Sequence, residues 1–325
     1  MNDASRKLAP PGPCLAAGSI NNPVPIATAA AQPRTITWAG CFAVNARAPS
    51  PGRAAAHPRA AQSRPVAPAI PPVLGPQALG LTAGGGGITF TGVVGGTAPL
   101  GAVTINSANN VTATTFSATS LGQTAGTGTT TLNGAVSTTG AAGVNINTNA
   151  IALNNTITTT GTGTTTLNAG AGLTIAAAGD IVSDGAVSLT GATGISTAGD
   201  VTTTADAVNY NSATTLTGAV AINSAGGAIG FGSTLNGPQT LGLTAGGGSI
   251  TFTGGGGGTA PLGTVTINSA NNGTATTFSA TSLGQEAGTD PTMPNGGGTS
   301  EGPAGADNCT NPARAHTKTP TERGR

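Results

Sequence analysis

Apolar and polar side chains alternate with period two in short runs through the middle of the chain. Ile88-Thr89-Phe90-Thr91, Val103-Thr104-Ile105-Asn106 and Val144-Asn145-Ile146-Asn147 each place every second residue on one side, the pattern of a strand with one buried face. Val, Ile and Thr are β-branched and favour extended backbone. Gly84–Gly87, Gly95-Gly96 and Gly226-Gly227 separate the runs and suit tight corners. Glu, Lys, Arg and Met, the usual helix formers, are almost missing from residues 75–290. The pattern predicts an all-β fold.

The runs also repeat. Residues 75–128 and 237–290, offset by 162, are identical at 46 of 54 positions. A shorter period lies beneath: Leu79, Leu100 and Leu121 are 21 apart, as are Leu241, Leu262 and Leu283, and Leu132 and Leu153; Leu167 and Leu189 are 22 apart. Leu189 to Leu216 and Leu216 to Leu241 are longer steps, at 27 and 25, which predict small loop insertions. Related phrases return, among them TLNGAV at 131–136, SLTGAT at 188–193 and TLTGAV at 215–220, with VTINSANN at 103–110 echoed by VAINSAGG at 220–227. Strands with Gly-rich corners at this spacing predict a parallel β-helix, or solenoid, with coils of about 20–22 residues.

Composition divides the 325 residues into three parts. Residues 1–74 hold seven of the eleven basic residues, one acid and 13 of the 22 Pro. Residues 75–290 hold no Lys or Arg and six acids, Asp180, Asp184, Asp200, Asp206, Glu286 and Asp290. Residues 291–325 return to mixed charge, with five Pro. The expected organisation is a disordered Pro/Ala/Arg-rich tail at 1–74, a β-solenoid at 75–290, and a degenerate repeat with a disordered tail at 291–325. Pro291, Pro294 and Gly298 stand where the first copy has Thr129, Leu132 and Val136. Within the second copy Val93, Val94 and Val111 have become Gly255, Gly256 and Gly273. Pro and Gly at such positions are expected to break strand pairing. The chain accordingly reads as a gene fragment of a longer solenoid, with 1–74 read as spurious translation. Equivalent residues of successive coils lie ~4.8 Å apart, so stacked like charges repel, a reason for such a repeat to lose Lys and Arg. Small Ala and Ser at inward positions predict a narrow interior with little room for aromatics.

The phrases LGLTAGGGGITFTG (79–92), TLNGAV, GDIVSDGAVSLTGATG and TTLTGAVAINSAGG resemble the β-strand repeats of very large bacterial surface proteins. Those are the filamentous-haemagglutinin-type and autotransporter-type adhesins. The resemblance covers about 75–290 and implies an exported, right-handed β-helical passenger. It implies an extracellular or cell-surface location for the full-length protein and, as partners, host or neighbouring-cell surface glycans or proteins. Self-association through open solenoid ends is also expected. No signal peptide is read in these residues, because Pro10, Pro11, Pro13 and Asn21 interrupt the apolar stretch that should follow Arg6 and Lys7. No transmembrane segment is read either, and the scattered basic residues give no nucleic-acid site.

Chemistry is sparse. Residues 75–290 contain no His, Cys, Lys, Arg or Trp, and one Tyr, Tyr210. Ser-His-Asp or Cys-His nucleophiles cannot be built from them, nor a His/Cys zinc site. Gly-Thr-Gly-Thr-Thr-Thr at 126–131 and 161–166 lacks the Lys of a phosphate loop. The three cysteines, Cys14, Cys41 and Cys309, lie in the flanks and indicate no disulfide framework. No catalytic, cofactor-binding or metal-binding residue is assigned, no cofactor is expected, and the chain is read as no enzyme. The strongest rival reading is a carbohydrate-active β-helix using Asp180, Asp184, Asp200 and Asp206, since paired carboxylates can hydrolyse glycosides. Against it, Gly179-Asp180 and Gly199-Asp200 recur at 20-residue spacing, as acids stacked at a corner would. A third reading is an ice-binding face, raised by the abundance of Thr throughout 75–290. The triplets Thr129–Thr131, Thr158–Thr160, Thr164–Thr166 and Thr202–Thr204 do not share a coil spacing.

Overall fold

A computed structural model describes residues 77–286, together with the backbone of three short outlying strands, Ile36–Trp38, Met293–Pro294 and Thr299–Ser300. The expectations for 1–74 and 291–325 lie otherwise outside the described residues. Between 77 and 286 the chain is all-β and forms a parallel solenoid of about ten turns. Each turn visits three faces in the same order. In a central turn, Val144–Thr148 lies on the first face, Ala150–Leu153 on the second and Ile157–Thr159 on the third. Thr165–Ala169 then returns to the first face, directly over Val144–Thr148.

The alternation read from the sequence decides what turns inward. Strands bury residues in the order buried, exposed, buried, as in Val144, Ile146 and Thr148. Stacked turns thus form ladders of like side chains: Ile157, Ile181 and Val201 on the third face, and Leu132, Leu153 and Ile175 on the second. Each fully buried Leu, Ile, Val or Phe contributes about 1.5–3 kcal/mol by leaving water. The interior is therefore aliphatic and aromatic, not narrow and small as composition predicted. Phe90, Phe116, Tyr210, Phe231, Phe252 and Phe278 all lie within it. Tyr210, Phe231 and Phe252 occupy one ladder of the first face; their ring centroids are 5.1 and 5.0 Å apart and the rings nearly parallel. The turn spacing is close to a stacking distance, so an aromatic repeated once per coil stacks on itself.

The Leu period and the stacking register are not the same thing. Leu79 lies under Val103, and Val103 under Leu121; Leu100 pairs with Ala118 instead. Successive turns on the first face differ in length, the step from Leu79 to Val103 being longer than that from Val103 to Leu121. The long Leu steps are not loop insertions: Leu189 is on the first face, Leu216 on the second and Leu241 on the third. The unit that recurs is one strand with its corner, three to a turn.

The duplication at an offset of 162 shows this most clearly. The first copy starts on the first face, where Leu79–Thr82 pairs with Val103–Ser107. The second starts on the third face, where Leu241–Thr244 lies over Val220–Asn223, in the column of Val201 and Ile181. The offset is seven turns and two faces, ~37 Å along the axis at ~4.8 Å per turn. Internal contacts are nevertheless retained. Register slips after Leu81 and again after Leu243. Asn106 Nδ2 donates to Thr82 Oγ1 at 3.0 Å, and Asn268 Nδ2 to Thr244 Oγ1 at 2.9 Å. Phe90 meets Phe116 edge-on at 5.7 Å, and Phe252 meets Phe278 edge-on at 5.3 Å.

The Gly replacements in the second copy do not break pairing, contrary to expectation. Gly256 bridges Leu235 and Phe278, and Gly273 pairs with Ile250. A ladder bond needs only the backbone N–H and C=O, which Gly keeps. A different Gly position is conformationally strict. Gly95 and Gly257, equivalent in the two copies, have φ of 68° and 71°, and a Cβ on either would collide with the carbonyl oxygen of Ser117 or Ser279 in the next turn. Gly95→Ala should cost about 1–3 kcal/mol, read as a lower denaturant midpoint, whereas Gly80→Ala, where a Cβ meets nothing, should leave the midpoint nearly unchanged.

Candidate functional site

The four candidate acids sit at two corners, at opposite ends of the short third-face strands. Asp180 and Asp200 precede the strands Ile181–Ser183 and Val201–Thr203, and Asp184 and Asp206 follow them. Asp180 and Asp200 stack in adjacent turns, and each carboxylate serves the turn above it. Asp180 Oδ1 accepts from the Asp200 N–H at 2.9 Å, and Asp200 Oδ1 accepts from the Ala221 N–H at 2.7 Å. Asp184 bridges three turns: its Oδ2 accepts from the Thr162 N–H at 2.7 Å and its Oδ1 from the Thr204 hydroxyl at 3.2 Å. Stacked like charges are accommodated here because the carboxylates satisfy corner amides at a partly solvated edge. Asp180, Asp184 and Asp200 thus cap backbone amides between turns, and for Asp180 and Asp200 the 20-residue spacing at Gly-Asp corners foreshadowed it. The structure does not bring all four together at one point. Among the described residues no group of three or more His, Cys, Asp or Glu is placed to hold a metal ion.

A second polar array lies inside the solenoid. Thr138, Thr159, Ser183 and Thr203 form the last inward position of successive third-face strands, Ser224 continues their column just past Val220–Asn223, and all five are buried. Most of them satisfy the carbonyls of the adjoining corner. Thr159 Oγ1 donates to Gly163 O, Thr203 Oγ1 to Asp206 O at 2.6 Å and Ser224 Oγ to Gly227 O. Ser183 Oγ lies within 3.1 and 3.2 Å of the Thr159 and Thr165 hydroxyls. Thr138 Oγ1 alone in this ladder has no partner. The period-two pattern held a signal for it: four successive third-face strands end on an inward Thr or Ser where Val or Ile would be expected.

Tyr210 is the one described tyrosine, and its hydroxyl is buried. The hydroxyl makes no hydrogen bond of good geometry. Burial raises its pKa well above the usual value of 10.0; the charge of Asp200 raises it further, and the neighbouring Thr197 hydroxyl lowers it in part. Its ring belongs to the aromatic ladder, so Tyr210 is a core residue. The interior void near Phe116, about 10 Å³, lies against the buried Gln123–Thr130 pair and is of single-water size.

The outer surface carries a regular hydroxyl-rich column that sequence spacing missed. Thr89, Thr112, Thr131, Ala152, Thr174, Ser196, Thr215 and Asn236 stand in register on the second face, one per turn. The Thr triplets divide between faces: Thr130, Thr159, Thr165 and Thr203 point inward and are buried. Exposed amides form shorter ladders, with Asn154 Nδ2 donating to Asn133 Oδ1 at 2.8 Å and Asn168 Nδ2 to Asn147 Oδ1 at 3.2 Å. Among the described residues no helix is long and apolar enough to cross a membrane. No protein family, curated protein or solved structure matched the chain.

Two outcomes follow from these groups. Asp180→Ala should lower stability by about 1–2 kcal/mol in a urea titration, through loss of a charge-assisted bond to a solvated amide. The Tyr210 pKa is raised in the fold, so the stability linked to it is complete below pH 10.0 and is lost as the pH rises further. Tyr210→Phe should remove that alkaline component of the loss, and at neutral pH it should leave stability equal or higher, by up to about 1–3 kcal/mol.

Proposed function

We propose that residues 75–290 act as a non-enzymatic structural and adhesive repeat segment of a secreted bacterial cell-surface protein. The observation that carries this reading is the face displacement of the duplicated segment. Two nearly identical units keep their internal contacts while presenting their outer residues on different sides of the coil, ~37 Å apart. Such a coil extends by adding units, and its outward chemistry is distributed around the rod, which suits reach and multivalent display. The resemblance to filamentous-haemagglutinin-type and autotransporter-type repeats supports the same setting. Surface glycans or proteins of a host or neighbouring cell are the partners this reading proposes, met by exposed Thr and Asn ladders that offer hydroxyl and amide groups.

A second reading has one observation in its favour. The second-face column places a hydroxyl at six of eight successive turns, a regularity the Thr triplets do not have, and a regular hydroxyl column is what an ice-binding face would require. Purified chain that shows thermal hysteresis, reduced by Thr112→Lys with Thr131→Lys, would favour that function over adhesion.

Antibodies against the solenoid should label intact cells of the source organism, and label should fall after mild external proteolysis. The purified chain should release no reducing ends from acidic or neutral glycans. Antigen confined to the cell interior would contradict surface display. Glycan cleavage abolished by Asp180→Ala and Asp200→Ala would replace the proposal with the enzymatic reading.

A further inference from the structure

The duplication shows what one edge of the solenoid is shaped to bind. Leu241–Thr244 is paired on both sides, by Val220–Asn223 below and by Val265–Ser269 above. Leu79–Thr82 has the same sequence, Leu-Gly-Leu-Thr, and the same partner above, Val103–Ser107. Among the described residues nothing pairs along its lower edge. The neighbouring strand of that turn, Ile88–Phe90, is paired below by Ile36–Trp38.

The occupied counterpart gives the register in full. Val220, Ala221, Ile222 and Asn223 lie against Leu241, Gly242, Leu243 and Thr244. The Ser224 N–H donates to Thr244 O at 2.9 Å and the Val220 N–H to Thr240 O at 3.1 Å. Val220 and Ile222 are buried against Leu241 and Leu243. On the lower edge of Leu79–Thr82 the equivalent acceptors are the carbonyls of Thr82 and Ala78, and the equivalent apolar side chains are Leu79, half-buried, and Leu81. We infer that the lower edge of Leu79–Thr82 is a docking site for a parallel strand of the type Val-x-Ile-Asn, carried by a turn of the same repeat in a partner polypeptide. A second copy of this chain is the wrong donor. Its four strands of that type, beginning at Val103, Val144, Val220 and Val265, are each already paired on both edges. Recognition is strand addition: backbone bonds give attachment, and the two inward side chains give selectivity.

The test is a fluorescent peptide of residues 218–227, Gly-Ala-Val-Ala-Ile-Asn-Ser-Ala-Gly-Gly, titrated against the full chain and followed by anisotropy. Saturable binding is expected, weakened by about tenfold or more when the peptide carries Ile222→Asp, because an inward charge would be buried. Hydrogen exchange on the unmodified chain should slow at residues 79–82 with peptide bound and remain unchanged at 241–244. This footprint holds even if a chain variant such as Leu81→Asp loses its first turn. Equal binding of both peptides, protection elsewhere, or no binding to folded chain would overturn the assignment. Concentration-dependent self-association that protects 79–82 and excludes the peptide would overturn it too, by making a second copy the occupant.

Discussion

Everything in this molecule depends on parallel stacking in register. A residue in one turn sits ~4.8 Å from its equivalent in the next, so each position must be compatible with itself. Ile on Ile, Leu on Leu and Phe on Phe meet that condition in the interior. Thr on Thr and Asn on Asn meet it outside. Carboxylates meet it at Asp180 and Asp200, where each accepts an amide of the turn above. Lys and Arg would bring charge without a comparable backbone role, and residues 75–290 contain neither.

Because the ladder is made of backbone bonds, the stack tolerates changes that a globular core would not. Gly256 and Gly273 replace valines and remain paired. Corners take up differences in length, so the steps from Leu79 to Val103 and from Val103 to Leu121 are unequal while inward side chains stay aligned. Intolerance is concentrated where a corner closes against the next turn. At Gly95 and Gly257 a positive φ and a carbonyl of the adjacent turn leave no room for a side chain.

The fold was legible because its signals are local. Alternation in Val144–Asn147 shows a half-buried strand, and Gly-rich breaks show corners. Stacking register was less legible. Leu79, Leu100 and Leu121 keep one constant period in sequence, yet Leu100 lies outside the column of the other two, since the period counts residues and the stack counts faces. The same confusion made Leu189, Leu216 and Leu241 look like one ladder with insertions. It also hid the Thr column of the second face, whose members recur at unequal steps along the chain. The aromatic interior was misjudged from abundance: five phenylalanines and one tyrosine are few, but the geometry gathers them. The corner role of Asp180 and Asp200 was readable from their spacing, and the internal hydroxyl ladder was not.

Register, more than sequence period, is thus the organising quantity, and one measurement addresses it directly. In a background with Cys14, Cys41 and Cys309 changed to Ser, Thr104→Cys is paired either with Gly122→Cys or with Ala125→Cys, and disulfide formation is followed under mild oxidation. Thr104 and Gly122 face each other in adjacent turns, at a separation a disulfide can span. The account predicts rapid, near-complete cross-linking for Thr104/Gly122 and little for Thr104/Ala125. Preferential cross-linking of Thr104 to Ala125, the partner that the Leu period would select, would contradict it.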